Sequence, residues 1–155
     1  MDVHTLISLF GERSGVPLAL SDAGTLALQF ADGVVLNLEN AEQDGALHLY
    51  VVVGEDPHED DARLLAYSAM LQANVFCHET AGGTLGLDDS TGDLMLTRRI
   101  DLAVADVEYL SEAIEMLVAA AGQWKTRLSA PMEAEDSVPM RAIEPSEQSQ
   151  FSLRA

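Results

Sequence analysis

The sequence predicts an α+β domain with the element order α-β-β-β-α-β-β-α, a twisted antiparallel sheet packed by helices. Three observations carry that expectation. Apolar residues recur at helical spacing in three separated segments, short runs between them alternate at period two, and the joints are brief Gly- and Asp-rich turns that suit hairpins. With 155 residues, 48% of them hydrophobic and 22% charged, the chain reads as one domain of ordinary size, able to bury roughly two-thirds of its unfolded surface.

Val3, Leu6, Ile7 and Phe10 fall on one face of a first helix. Asp2 caps it, and Gly15 and Pro17 stop it. Leu26, Leu28 and Phe30 then alternate with Ala27 and Gln29, and Val34, Leu36 and Leu38 alternate with Val35 and Asn37. Asp32-Gly33 between these runs predicts a two-residue hairpin turn. After the polar loop from Asn40 to Gly45, Leu47, Leu49, Val51 and Val53 alternate with His48, Tyr50 and Val52, which completes a three-stranded meander.

Pro57 and the acids Glu59, Asp60 and Asp61 open a second helix, where carboxylates complement the helix dipole. Its body, "ARLLAYSAMLQANVFC" from Ala62 to Cys77, carries one positive charge and no negative one. Leu64, Tyr67, Leu71 and Val75 form one apolar stripe, and Leu65, Ala69, Gln72 and Phe76 another. A surface helix should show a polar face, so burial at a subunit interface is the expectation here. Ala81-Gly82-Gly83 ends this helix. Leu85 and Leu87, then Leu94, Leu96 and Ile100, make a second hairpin with Asp88 to Asp93 at its tip. Asp106 caps a last helix that runs to about Leu128 and buries Val107, Leu110, Ile114, Leu117, Val118, Ala121 and Trp124. Residues 1–129 are the expected domain. The stretch 130–155, rich in Pro, Glu, Ser and Gln and without periodicity, is expected to be a disordered acidic tail.

The charge excludes whole classes of function. Against 26 acids stand 8 bases, a formal net charge of −18, and nucleic acid or an anionic membrane surface would be repelled. No stretch has the ~20 apolar residues of a membrane span, the start lacks the pattern of a signal peptide, and the single Cys77 fits a reducing compartment. A cytoplasmic location is expected, with neither nucleic acid nor membrane insertion among its partners.

Chemistry-bearing motifs fare poorly. Read from Asp88, a calcium loop would place Ser90, Gly92 and Arg99 at positions three, five and twelve, which fails the template. Asp88, Asp89 and Asp93 suit a turn instead. Neighbouring residues in His58-Glu59-Asp60-Asp61 diverge by ~100° on a helix and cannot converge on one ion. Cys77-His78-Glu79 has the same flaw, and a Cys77 nucleophile would need His4 or His48 brought to it. Phosphate-loop, dinucleotide and nucleophile-elbow patterns do not occur. The expectation is no catalysis, no metal and no cofactor.

Four segments together carry a resemblance: "LISLFGERSGVPLALSDAG", "LLAYSAMLQANVF", "LGLDDSTGDLMLTRRIDL" and "VEYLSEAIEMLVAAAGQWKTRL". In their order, in the small size and in the low pI, the chain over roughly residues 3 to 128 resembles the Tir chaperone (CesT-like) family, class I chaperones of type III secretion effectors. The resemblance implies a homodimer paired through the second helix and the strand after it, here Leu64, Leu71, Val75, Phe76, Leu85 and Leu87. It also implies that an extended segment near the N terminus of an effector is held in grooves by Leu6, Leu9, Phe10, Leu28, Phe30, Leu36 and Leu38, with Leu49 and Val51 beside them. Such binding combines strand addition with side-chain pockets. For the tail, contact with a secretion ATPase or sorting factor and no role at all are the alternatives. Two rival readings are a small dimeric roadblock-like adaptor for a folded partner and a small metal-dependent hydrolase built on the Asp88 to Asp93 acids.

Overall fold

In a computed structural model, residues 1–130 are described, and the expected tail beyond them lies outside the described residues. Helix α1 (Val3–Ser14) leads into β1 (Thr25–Gln29), β2 (Val35–Ala41) and β3 (Ala46–Glu55). Then come α2 (Asp60–Asn74), β4 (Thr84–Asp88), β5 (Asp93–Asp101) and α3 (Val107–Ser129). The strands form one antiparallel sheet of five in the order β1-β2-β3-β5-β4. The expected α+β order is therefore present, and the second hairpin joins the meander through β5 rather than through β4.

Alternation along the strands decides which face is covered. Leu36, Leu38, Leu47, Leu49, Val51, Leu94, Leu96 and Ile100 all point to one side and are fully buried. Leu6, Ile7, Leu110, Ile114 and Leu117 of α1 and α3 close over them. Each such side chain contributes roughly 1.5–3 kcal/mol relative to exposure. Asp2 accepts the backbone N–H of Thr5 at 3.0 Å and caps α1, and Asp106 accepts that of Tyr109 at 2.8 Å and caps α3, as their spacing predicts. Gly11 lets the chain fold back on α1. A Cβ there would stand 2.6 Å from the carbonyl oxygen of Val16 and 2.8 Å from the nitrogen of Leu18.

Two local expectations are corrected. The first hairpin closes with three residues, Ala31 to Gly33, since Phe30 donates to the carbonyl of Val34 at 2.9 Å and Gly33 takes a left-handed φ of 81°. The extra residue sets the register Leu28 to Leu36 and Leu26 to Leu38, whereas a two-residue turn would set Leu28 opposite Asn37 and turn one strand's leucines to the wrong face. The second correction concerns α2, which ends at Asn74, three residues before Cys77. A tight turn over Val75–Cys77 follows, with Phe76 at φ 59° and Cys77 at φ 55°. A left-handed conformation costs a residue with a side chain roughly 1–3 kcal/mol, so the surrounding contacts must hold it.

Candidate functional site

Two surfaces stand out, at opposite edges of the sheet. The first is the outer edge of β1. Bonds from Phe30 to Val34 and from Asn40 to Gly24, each 2.9 Å, mark the even-numbered residues as those bonded to β2. Thr25, Ala27 and Gln29 therefore direct their backbone groups away from the sheet. Thr25 is satisfied locally, its N–H reaching the Ser21 hydroxyl at 3.1 Å and its carbonyl accepting from the Ser21 N–H at 2.8 Å. The N–H and carbonyl groups of Ala27 and Gln29 remain as an unpaired edge.

Beside that edge lies a strip of half-buried apolar side chains. Leu28 and Phe30 belong to it, joined by Leu18, Leu20 and Leu26, and Leu9 is half-buried on α1. The other residues expected to touch a client lie deeper. Leu6, Leu36, Leu38, Leu49 and Val51 are core residues without accessible surface, and Phe10 is nearly so. Leu36 and Leu38 on β2 and Leu49 and Val51 on β3 alternate inward on central strands, and Leu6 and Phe10 of α1 belong to the same core. Leu18, Leu20 and Leu26 were absent from the residues that the resemblance assigned to a client. Their signal was present, because Leu18 and Leu20 flank Ala19 at the period of an extended segment.

The second surface joins α2 to β4. Helix α2 turns a stripe of small residues, Ala66, Ala69 and Ala73 with Met70, toward the core, and its bulkier residues point out. Leu64 is 66% exposed, Leu71 68%, Val75 59%, Phe76 85% and Leu87 41%, while Leu85 at 4% belongs to the core. Tyr67, Met70, Leu71, Leu85, Gly86 and Leu87 line a cavity of about 180 Å³ between the helix and the strand. Five of the six residues predicted for a subunit interface thus form an uncovered apolar surface on this chain.

That surface is firmly mounted. The Asn74 amide donates to the carbonyl of Leu85 at 3.0 Å and accepts its N–H at 2.8 Å, occupying the backbone groups of the edge strand as a neighbouring strand would. The Trp124 indole donates to the carbonyl of Glu79 at 2.9 Å, and Arg98 donates to that of Ala81 at 2.8 Å, so α3 and β5 hold the turn between α2 and β4. At the other end of α2, Asp56 accepts from the Tyr67 hydroxyl at 2.6 Å and from Arg63 at 3.2 Å. These two bonds, that from Tyr67 first, lower the Asp56 pKa below its ordinary 3.8. At the tip of the second hairpin, Asp88 accepts from the backbone and hydroxyl of Ser90 at 3.0 and 2.6 Å, which commits its carboxylate to the turn.

The sequence model of the Tir chaperone protein (CesT) family matches residues 5–125. The chain belongs to that family. The match spans α1 through most of α3, both surfaces included. No curated protein sequence matches the chain. Solved structures show the same architecture. The ExoU–SpcU complex of the Pseudomonas aeruginosa type III secretion system contains a chain 28% identical, with a TM-score of 0.66, covering 79% of this chain and 98% of that one. A chain of the ExsC–ExsE complex is 22% identical with a TM-score of 0.68, covering 85% and 100%. A chain in the complex of the Yersinia pestis secretion chaperone SycH with a fragment of YscM2 is 16% identical with a TM-score of 0.61, covering 78% and 98%. The family is one of chaperones, and among the described residues of this member no helix is long and apolar enough to cross a membrane.

Proposed function

We propose that this chain is a cytoplasmic, non-catalytic chaperone that binds an extended segment near the N terminus of one or more type III secretion effectors and keeps them soluble until export. The open β1 edge, bordered by half-buried leucines in a member of a chaperone family, is the observation that carries this reading. A client strand laid against Ala27 and Gln29 completes their backbone hydrogen bonds whatever its sequence, and its alternate side chains enter the strip formed by Leu18, Leu20, Leu28 and Phe30. Main-chain bonding supplies affinity that tolerates different clients, and the strip shields apolar residues that would otherwise aggregate. A HopA1–SchA chaperone–effector complex is among the similar structures.

The working unit is a homodimer paired across the α2 and β4 surface. Leaving Leu64, Leu71, Val75, Phe76 and Leu87 in water would waste apolar burial and invite aggregation.

Purification from the native host, with mass spectrometry of whatever remains bound, tests the function. Secreted proteins held through residues near their N termini are the expected result. Recovery of the chain alone, or with folded cytosolic enzymes only, would overturn the reading.

A further inference from the structure

Phe76 has the highest exposure of the large apolar side chains in the described residues, 85%. Its backbone is left-handed, with φ 59° and ψ 8°, a conformation in which an aromatic residue is an outlier. Its ring lies 6.3 Å from the imidazole of His78, both on the turn beyond α2. The surrounding turn is held by Asn74, Trp124 and Arg98 as described above, so the ring is presented outward by a rigid mount rather than left on a loose loop.

Close by lies the cavity of about 180 Å³ between α2 and β4, lined by Tyr67, Met70, Leu71, Leu85, Gly86 and Leu87. An apolar protein cavity of roughly 150 Å³ accepts benzene, so one phenyl ring suits this volume. The same chain's Phe76 lies past the end of α2 at Asn74, on a left-handed turn that leaves its ring exposed to solvent. A second copy removes the difficulty. When two α2 helices cross antiparallel with the two-fold axis near Ala73, position 76 of one lies opposite position 70 of the other, and both insertions occur together.

Charge also favours a second copy over an unrelated partner. The chain carries 26 acids, yet the stretch from Ala62 to Cys77 has no carboxylate and only Arg63 as a base. Arg63 is already paired with Asp56 and Asp60, at 3.2 and 3.5 Å. Two copies of a strongly anionic protein approach with least repulsion along such a face.

We propose that the dimer is locked by a reciprocal exchange, in which Phe76 of each copy fills the cavity beside Tyr67, Met70 and Leu71 of the other. The proposal rests on the homodimer reading and adds to it the residue and the pocket through which the chain recognises itself.

Sedimentation equilibrium of the full-length protein tests it with two variants. Phe76→Ala removes the ring. Gly86→Leu blocks the cavity without touching the core, since nothing lies within 4 Å of where its Cβ would stand. Each variant is expected to keep the wild-type circular dichroism and to weaken dimerisation about 30-fold or more, the loss typical of a buried aromatic anchor. The double variant should be little weaker than either single one, because both remove the same contact. A wild-type chain that stays monomeric overturns the homodimer reading and this proposal together. A wild-type dimer that Phe76→Ala leaves equally tight overturns only the exchange, and fully additive losses overturn the assignment of Phe76 to this cavity.

Discussion

Single side chains in this protein hold surfaces in place more than they form them. Asn74 occupies both backbone groups of Leu85, and its removal would leave a partly buried donor and acceptor unpaired. Asn74→Ala should therefore destabilise the fold by about 1–3 kcal/mol in chemical denaturation, and Asn74→Asp, which keeps the acceptor and loses the donor, should recover only part of the loss. Asp56 acts at the opposite end of α2. Hydrogen bonds from Tyr67 and Arg63 lower its pKa below 3.8, so its carboxylate form is favoured in the folded state. Its stabilising effect is then fully present above the unfolded value and is lost as the pH falls through the folded one. The stability difference between wild type and Asp56→Asn should be constant well above the ordinary 3.8 and shrink as the pH falls below it, as read by denaturation across a pH series. Neither role was legible in the sequence, because each residue acts on a partner 11 residues away that only the fold brings close.

Elements differ in how completely their own pattern specifies them. α1 and α3 formed where spacing and caps placed them, since a helix that buries one face carries that face in its own period. The strands also followed their alternation, but the first turn did not. The Asp32-Gly33 pair is compatible with loops of two or three residues, and cross-strand pairing of Leu28 with Leu36 selects the longer one. α2 is the element whose pattern does not name its inward face. Its bulky stripes read as an interface, and the residues packed inward are the small Ala66, Ala69 and Ala73 with Met70. Small side chains let the helix lie close to β4 and leave the leucines outside. At the other edge, β1 supports a sharp prediction. Ala27 directs its N–H away from β2, so Ala27→Pro removes a donor that the folded chain does not use, and proline is tolerated on such edges. The variant should keep its fold by circular dichroism and lose about tenfold in affinity for a client segment, measured by calorimetry, the equivalent of one hydrogen bond with its neighbouring contacts.

For the whole molecule the governing quantities are the −18 net charge and the arrangement of the two edges. One edge of the sheet is open along its backbone and the other is occupied by Asn74 and α2, so strand addition and apolar packing are assigned to different sides. In the proposed assembly a client joins β1 while a second copy covers the α2 and β4 surface. The charge opposes that pairing at long range and salt screens it. Dimerisation should accordingly tighten as ionic strength rises from about 0.02 to 0.5 M, followed by sedimentation. An interface held by ion pairs would weaken instead.

The sequence by itself determined the element order, the caps, the inward faces of the strands and the net charge of −18, because periodicity, capping and net charge are local or additive properties of a chain. Tertiary structure alone decided that Leu6, Leu36 and Leu38 are core while Leu18, Leu28 and Phe30 are only partly covered beside an open edge, that Phe76 is thrust outward, and that Asn74 occupies the backbone of Leu85 on β4. Alternation says which way a side chain points, but burial depends on whether its strand is central or at an edge and on what lies above it. Those are relations between segments distant in sequence, and they exist only once the sheet order is set.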